Sequence, residues 1–168
     1  SICSALEKGG VRVSLTNVRD DILLCDGVIL PGVGAFSHAM DRLISQKLDD
    51  LIREFVGTGK PLLGICLGMQ MLFDQSTEFG VAKGLCLIPG QVQRLERCDG
   101  SAEKLPHVSW SGISTKRISD WNGTILESID SDEDMYFVHS YYAKPANSSD
   151  VLSLSRYADL EFCSTVKH

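Results

Sequence analysis

The stretch GKPLLGICLGMQMLF, residues 59–73, decides how this chain is interpreted. A short apolar run typical of a buried strand enters it, and a helical pattern of apolar residues leaves it. Between the two, Gly64 and Gly68 bracket Cys66. Glycines let a chain reverse sharply, and a residue at such a strand-to-helix turn is held at the edge of the sheet, beside the free N–H groups of a helix start. The pattern predicts a cysteine nucleophile, and its alternative is a core cysteine packed between apolar neighbours.

Composition narrows the class of protein. The 168 residues are 43% apolar and 23% charged, which is typical of a single globular domain with a sizeable core. The net charge of −6 argues against a nucleic-acid-binding face, because phosphates are bound by clustered Lys and Arg. No apolar run approaches the roughly 20 residues that a membrane span needs. We therefore expect neither a nucleic acid nor a membrane as a partner.

The six cysteines are scattered, without the Cys-x-x-Cys or Cys/His spacing of metal ligands. We expect no structural zinc site, no cofactor and no disulfide framework in a domain of this size. The expected setting is a reducing, cytoplasmic one in which most of these thiols are small apolar residues. The cysteines are Cys3, Cys25, Cys66, Cys86, Cys98 and Cys163.

The order of predicted elements favours an α/β fold. In the first half, strands at residues 11–15, 27–30 and 62–65 alternate with helices at residues 2–6, 20–24, 40–55 and 67–73, with Asp20 as a candidate N-cap. Such alternation predicts a parallel sheet with helices on its faces. In the second half, strands are predicted at residues 85–88, 92–95, 135–142, 151–155 and 162–166, the last two as a hairpin, while residues 96–130 are loop-rich. No linker or repeat divides the chain, so we expect one domain.

Ligands of parallel sheets bind beyond the carboxyl ends of the strands, where two loops are predicted. Besides the cysteine turn, PGVG at residues 31–34 follows a neighbouring strand and could present N–H groups to an oxyanion; a plain turn is the alternative. Gln70 lies one helical turn after Cys66 and could offer its amide to a substrate. Glu78 could hold an ammonium group. For both side chains the default is an exposed, solvated position.

Five motifs then occur in order: PGVGAF (31–36), GKPLLGICLGMQ (59–70), GLCLIPG (84–90), LPHVSW (105–110) and YFVHSYY (136–142). Together they resemble the class I, or triad, glutamine amidotransferases over essentially the whole chain. The first, fourth and fifth motifs resemble one branch, the glutaminase subunits of imidazole glycerol phosphate synthases. The fold that the resemblance implies is a flavodoxin-like layered sheet with a parallel core, helices on both faces and an antiparallel second half.

The resemblance also implies a reaction and its residues. Cys66 would attack the side-chain amide of L-glutamine, ammonia would leave, and water would hydrolyse the glutamyl thioester. The oxyanion would be held by backbone at Gly32, Val33 and Gly34 with the N–H of Leu67. The amino-acid end of glutamine would be held by Gln70, Glu78, His139, Ser140 and Tyr141.

A partner is implied as well. In this branch the ammonia passes to a (β/α)₈-barrel cyclase subunit, which makes imidazole glycerol phosphate in histidine biosynthesis. The resemblance therefore implies a heterodimer in which residues 106–110 face the cyclase.

The chain departs from the pattern in two places. The family's general base is a His in a Phe-His-Pro-Glu segment that residues 1–168 do not contain, and its first strand and glycine-rich turn are not matched either. The motifs assign the base to none of the four histidines, so we expect the chain to be part of a longer polypeptide. Two alternatives stay open. One is a sister amidotransferase with another acceptor, such as a nucleotide sugar in surface polysaccharide synthesis, and the other is a non-catalytic binding domain on the same scaffold.

Overall fold

The computed structural model describes residues 2–96, 104–115 and 121–168. Helices dominate its first half and strands its second. The described α-helices are α1 (Ile2–Lys8), α2 (Arg19–Leu24), α3 (Phe36–Ser45), α4 (Leu48–Gly57) and α5 (Leu67–Gln70), and Ser148–Asp150 form a 3-10 helix. The described strands are β1 (Val28–Gly32), β2 (Leu62–Cys66), β3 (Phe73–Ser76), β4 (Ala82–Lys83), β5 (Ile88–Arg94), β6 (His107–Gly112), β7 (Asp134–His139), β8 (Tyr141–Pro145), β9 (Val151–Tyr157) and β10 (Leu160–Val166).

Strands β1 and β2 form a parallel pair, in register from Val28 opposite Leu62 to Gly32 opposite Cys66. Both are short and rich in apolar residues without alternation, as expected for parallel strands covered on both faces. Helix α5 starts at the residue that follows β2 and packs back on both strands. The carboxyl ends of β1 and β2 and the start of α5 therefore meet at one edge.

The largest sheet has six strands in the order β4-β3-β5-β8-β10-β9. Its only parallel pair among the described strands is β3 with β5, and the other neighbours are antiparallel. Strands β6 and β7 form a separate antiparallel pair. The chain changes sheets at Ser140, between the end of β7 and the start of β8.

Two apolar clusters fill the interior. The larger one joins α3, α4 and α5 to the six-stranded sheet through buried side chains such as Phe36, Ile52, Phe73 and Val92. The smaller one surrounds Trp121. The indole Nε1 of Trp121 donates a 2.8 Å hydrogen bond to the carbonyl of Leu152 on β9, so this buried polar group is satisfied.

The predicted α/β class is confirmed, with a parallel pair early in the chain and mostly antiparallel pairing later. The strands at 27–30, 62–65, 151–155 and 162–166 are present, the last two as a hairpin whose turn places Ala158 at φ 51°. The helix at 2–6 is also present. The helix at 20–24 forms, but its N-cap is Val18 and Asp20 lies in its first turn, so the predicted cap is wrong.

The long helix predicted at 40–55 is wrong, because two helices meet there. Lys47 adopts a left-handed conformation with φ 55°, which breaks the helix between α3 and α4. Both halves keep apolar residues at helical spacing, so the periodicity continues across a break that it does not encode.

The strand predicted at 11–15 is also wrong, since residues 11–18 have no regular structure and Leu15 is 93% exposed. An alternating pattern favours a strand only where a partner's backbone is available to pair with it. The strand predicted at 85–88 is wrong for residues 85–87, which pair with no strand. Their N–H groups donate to the carbonyls of Met71, Leu72 and Phe73, and β5 begins at Ile88.

Three further boundaries differ from the prediction. The helix expected at 67–73 ends at Gln70, and Phe73 begins a strand. The single strand expected at 135–142 is split at Ser140. The loop-rich region expected at 96–130 contains β6, while residues 97–103, including Cys98, and 116–120 lie outside the described residues. Among the residues that the structure describes, no helix has the length and apolarity to cross a lipid bilayer.

Candidate active site

Cys66 stands at the apex of a sharp strand-to-helix turn. It is the last residue of β2 and the N-cap of α5, with φ 56° and ψ −118°. A residue with a β-carbon rarely adopts this conformation, and non-glycine residues at positive φ cluster at functional sites. Its side chain is exposed, and within residues 2–96, 104–115 and 121–168 its thiol makes no hydrogen bond. The alternative of a sealed core cysteine is therefore wrong.

Three glycines make this turn possible. A β-carbon on Gly68 would lie 1.7 Å from the carbonyl oxygen of Leu30, and one on Gly64 would lie 2.6 Å from Cα of Met69. A β-carbon on Gly32 would lie 2.9 Å from the backbone nitrogen of Gly68. The first turn of α5 thus packs directly against β1 and β2, and no side chain fits between them.

The PGVG turn lies beside the cysteine, as predicted. Gly32 is the register partner of Cys66, and Gly34 adopts φ 97°, which favours glycine. Val33 between them is exposed at 92%. Close packing of Gly32 on Leu67 and Gly68 brings the backbone of the turn to the start of α5. The backbone of the PGVG turn and the backbone at the start of α5 thus meet at this edge.

Gln70 connects the strand-to-helix turn at Cys66, which we call the elbow, to the strand segment at residues 139–141. Its Nε2 donates a 2.9 Å hydrogen bond to the carbonyl of Tyr141. The same carbonyl lies 3.0 Å from Nδ1 of His139. Ser140, between them, accepts a backbone hydrogen bond from Leu95. The structure therefore brings Gln70, His139, Ser140 and Tyr141 together.

Glu78 is attached to the other side of the site. Its Oε2 accepts a 2.7 Å hydrogen bond from the N–H of Phe36, the first residue of α3. A carboxylate at the start of a helix is stabilised by the exposed N–H groups and the helix dipole. Because α3 begins just after the PGVG turn, this bond also fixes the end of that turn. Its Oε1 has no partner among the described residues.

Sequence reasoning missed a buried partner of His139. Nε2 of His139 lies 2.9 Å from Nδ1 of His107, its register partner on β6. Burial lowers the pKa of His107, and the neighbouring His139 lowers it further. Burial also lowers the pKa of His139, which its bond to the Tyr141 carbonyl partly offsets. The alternation of His107, Ser109 and Ser111 on one face of β6 was the available signal.

The other two histidines and Cys163 make no hydrogen bond to Cys66 among the described residues. His38 is exposed on α3, and Nδ1 of His168 lies 3.4 Å from Oδ2 of Asp150. Cys163 is buried, and burial raises the pKa of its thiol to about 12, as expected of an inert core cysteine. Two surface hollows within the described residues, one beside Asp150 and one beside Trp110, are not lined by Cys66.

Comparison with known proteins shows the family to which the chain belongs. The family model for class I glutamine amidotransferases matches residues 1–167. The chain belongs to the class I glutamine amidotransferase family. It is an enzyme of the glutaminase reaction.

Three relatives of this amidotransferase are subunits of one kind of enzyme. Imidazole glycerol phosphate synthase subunit HisH 1 of Legionella pneumophila (strain Lens) is 38% identical over 170 residues, which cover 99% of this chain and 80% of the relative. The HisH subunit of Bacillus velezensis is 42% identical over 159 residues, covering 94% and 73%. That of Moorella thermoacetica is 41% identical over 167 residues, covering 99% and 75%.

A solved structure shares the fold of this amidotransferase. The protein, described as a glutamine amidotransferase, superposes with a TM-score of 0.67 over 95% of this chain and 80% of its own. The two sequences are 14% identical, so this likeness supports the fold alone.

Proposed function

We propose that this chain is the glutaminase subunit of an imidazole glycerol phosphate synthase. It hydrolyses L-glutamine to glutamate and ammonia, and the ammonia passes to a cyclase partner in histidine biosynthesis. The observation that supports this most is the exposed Cys66 thiol at φ 56°, ψ −118°, directly beside the PGVG turn. The HisH relatives favour this acceptor over a nucleotide sugar. The position of this thiol beside the PGVG turn, which Cys86 does not share, favours catalysis over a binding domain on the same scaffold.

The reaction follows from the elbow. The Cys66 sulfur attacks the side-chain amide carbon of glutamine and forms a C–S bond, giving a tetrahedral oxyanion. The N–H of Leu67 and backbone N–H groups at Gly32, Val33 and Gly34 stabilise that oxyanion. The C–N bond breaks, and the amide nitrogen leaves as ammonia, carrying the proton that the thiol has lost. Water then attacks the thioester, which releases glutamate and returns the thiol.

The amino-acid end of glutamine is held by side chains around the elbow. Glu78 keeps one carboxylate oxygen for the substrate's ammonium group, since the other binds Phe36. Gln70 keeps its Oε1, since its Nε2 binds Tyr141. Both side chains are thus oriented by protein contacts before glutamine arrives, which lowers the entropic cost of binding. His139, Ser140 and Tyr141 complete this part of the site, with His139 acting through its bond to Tyr141.

The role of general base is not assigned to any described histidine. None of them lies within hydrogen-bonding distance of the Cys66 sulfur in residues 2–96, 104–115 and 121–168.

The partner binds the outer face of the antiparallel β6–β7 pair, which we call the hairpin face. Its side chains form two cross-strand pairs, Val108 with Val138 and Trp110 with Tyr136. All four are more than half exposed, and the Trp110 and Tyr136 rings are 5.5 Å apart. A contiguous aromatic and aliphatic face of this kind marks a protein–protein interface. The partner proposed for it is a cyclase of the (β/α)₈-barrel type, and the pair forms a heterodimer.

The cysteines support a reducing compartment. Cys3, Cys25, Cys66, Cys86 and Cys163 are all free thiols in the described residues. Free exposed thiols persist where the cell keeps cysteines reduced. We therefore place the enzyme in the cytoplasm.

A glutamine-analogue electrophile tests the nucleophile. Cys86 is a matched control in the same chain, because it is also exposed and also has a positive φ, 54° against 56°. We expect the electrophile to label Cys66 alone, and excess glutamine to slow this labelling. Equal labelling of Cys66 and Cys86, or labelling that glutamine does not slow, would contradict the proposal.

A substitution tests whether this chain hydrolyses glutamine while the cyclase partner uses the ammonia. In the full-length protein with its cyclase partner, Cys66→Ala removes the sulfur and should lower glutamine-dependent synthesis more than a hundredfold, as loss of a nucleophile does. Synthesis from added ammonium chloride should persist at the rate of the unchanged complex. Glutamine-dependent activity above about one per cent would place the nucleophile elsewhere.

A further inference from the structure

A pair of histidines, His107 fully buried and His139 partly buried, lies beneath the hairpin face. His107 and His139 stand opposite each other on β6 and β7, with 2.9 Å between Nδ1 of His107 and Nε2 of His139. His107 has no exposed surface. Its ring stacks on Tyr157 at 4.2 Å and on Phe137 at 5.5 Å. These contacts hold both imidazoles in fixed orientations.

The hydrogen bonds of this pair have only one consistent direction when both rings are neutral. The carbonyl of Tyr141 can only accept, so Nδ1 of His139 carries a hydrogen. Nε2 of His139 is then a lone pair and accepts from Nδ1–H of His107. Nε2 of His107 in turn accepts from the hydroxyl of Ser109 at 2.7 Å. Both rings are therefore Nδ1–H tautomers.

This chain of bonds ends at the proposed glutamine site. The Tyr141 carbonyl that accepts from His139 also accepts from Nε2 of Gln70, four residues after Cys66. The other end lies on β6, where inward-facing Ser109 alternates with outward-facing Trp110. One strand thus contributes both to the hairpin face and to the support of Gln70.

We propose that His107 is a positioning residue for glutamine binding: through His139 it fixes the Tyr141 carbonyl, and that carbonyl fixes the side chain of Gln70. The inference rests on the proposed glutaminase function, because Gln70 holds the substrate there. His107 does not touch the substrate in this arrangement. Its loss leaves Cys66 and the oxyanion donors in place and loosens only the amino-acid end of the site.

Two substitutions separate the hydrogen bond from the packing. His107→Phe keeps a ring that can stack on Tyr157 and Phe137 but removes both nitrogens. His107→Asn loses the stacking but keeps an N–H close to the position of Nδ1. Tyr157→Phe is the control, because it keeps the ring against His107 and removes only the hydroxyl that donates to the carbonyl of Lys104.

The first measurement is steady-state glutaminase kinetics of the full-length protein with its cyclase partner. We expect His107→Phe to raise KM for glutamine about 5- to 10-fold with kcat within about twofold, the effect of losing one hydrogen bond that positions a binding group. His107→Asn should recover more than half of the logarithmic change, and Tyr157→Phe should leave KM within about twofold. An unchanged KM in His107→Phe, or no recovery in His107→Asn, would overturn the proposal.

The second measurement does not need activity. Nitrogen-15 NMR of the full-length protein should show both rings protonated at Nδ1, and the side-chain amide signal of Gln70 should shift in His107→Phe and stay in Tyr157→Phe. Protonation at Nε2 of either neutral ring, or an unmoved Gln70 signal, would overturn the link. If the unchanged complex does not hydrolyse glutamine, the proposed function fails, while the Gln70 signal still decides whether His107 positions that side chain.

Discussion

At the scale of single residues, Cys66 combines exposure with a strained backbone. A non-glycine residue in a sparsely populated region of φ and ψ costs about 1–3 kcal/mol. Close packing of β2, α5 and the PGVG turn at Gly32, Gly64 and Gly68 offsets this cost and keeps the residue in its strained conformation. The strained backbone holds the sulfur outward at the edge of the sheet. A substitution that relieved this strain would stabilise the fold but would remove the nucleophile.

Two inactive substitutions measure this strain. Cys66→Gly should be more stable than Cys66→Ala by about 1 kcal/mol, because glycine adopts φ 56° without the penalty of a β-carbon. At an ordinary position the order is the reverse, since glycine gains more entropy on unfolding. Urea unfolding of the two variants gives the difference in free energy of unfolding. A Cys66→Ala protein as stable as Cys66→Gly would show that the turn is unstrained.

The histidine pair gives the protein a pH-dependent stability. Burial lowers the pKa of both His107 and His139 from the ordinary value of 6.5, so the unfolded chain binds protons more readily than the folded one. Their contribution to the free energy of unfolding is complete above about pH 6.5 and is lost as the pH falls below it. His107→Phe removes one of the two groups and should flatten this fall.

Urea unfolding at pH 7.5 and at pH 5.5 tests the prediction. Carboxylates elsewhere contribute equally to both proteins, so the informative quantity is the difference between the unchanged protein and His107→Phe at each pH. We expect that difference to shrink or change sign at pH 5.5. A difference that is the same at both values would mean that His107 does not titrate differently in the folded state.

At the scale of elements, the contact between α5 and β1 decides whether the site forms. Gly68 lets the first turn of α5 lie against the carbonyl of Leu30, and this contact places the carboxyl end of β1 next to Cys66. The contact is backbone on backbone, so the neighbours cannot adapt by changing a rotamer. The oxyanion donors and the nucleophile thus depend on one glycine.

Gly68→Ala should destabilise the protein by about 3 kcal/mol or more, because its β-carbon would lie 1.7 Å from an oxygen atom of the main chain. Gly57→Ala is the matched control: Gly57 is the last residue of α4, and nothing lies within 4 Å of an added β-carbon. We expect that change to be neutral or to stabilise by up to about 1 kcal/mol. Thermal melting of both variants decides the matter, and similar melting temperatures would contradict the packing argument.

The sequence predicted well those elements that are specified by residues close together along the chain. Gly64, Cys66 and Gly68 specify a turn by themselves, and the β9–β10 hairpin follows from two apolar runs around a short turn. The break between α3 and α4 at Lys47 could not be predicted. No sequence pattern marks a lysine that adopts a left-handed backbone conformation, and apolar residues recur at helical spacing on both sides of it. The strand expected at 11–15 failed for a related reason: alternation does not reveal whether a partner strand exists.

Site residues divide in the same way. The closeness of Gly32 and Cys66 follows from the rule that ligands bind at the carboxyl ends of parallel strands. Phe36 and Glu78 are 42 positions apart, and their bond depends on how α3 enters the fold. The pairing of His107 with His139 depends on the register of β6 and β7, which no local pattern fixes.

At the scale of the whole molecule, the two faces of the β6–β7 pair have different proposed roles: one supports the glutamine site and the other binds the partner. The inward face carries His107, Ser109 and the aromatic packing of Phe137, whereas the outward face carries Val108, Trp110, Tyr136 and Val138. The period of two along a strand makes this division possible. A partner bound to the hairpin face would therefore lie one strand thickness away from the residues that orient Gln70.

Trp110 is the residue of this face whose loss should weaken the heterodimer most. Trp110→Ala in the full-length protein should raise Kd for the cyclase subunit by about 30-fold or more, because large aromatic side chains at the centre of an interface are typical hot spots worth about 2 kcal/mol. Val81→Ala is the control, since Val81 is 76% exposed on a different part of the chain and should change Kd by less than about twofold. Because Trp110 faces solvent in the free subunit, both variants should melt like the unchanged protein. Isothermal titration calorimetry with the purified cyclase measures Kd, and an unchanged affinity for Trp110→Ala would mean that the partner binds another face.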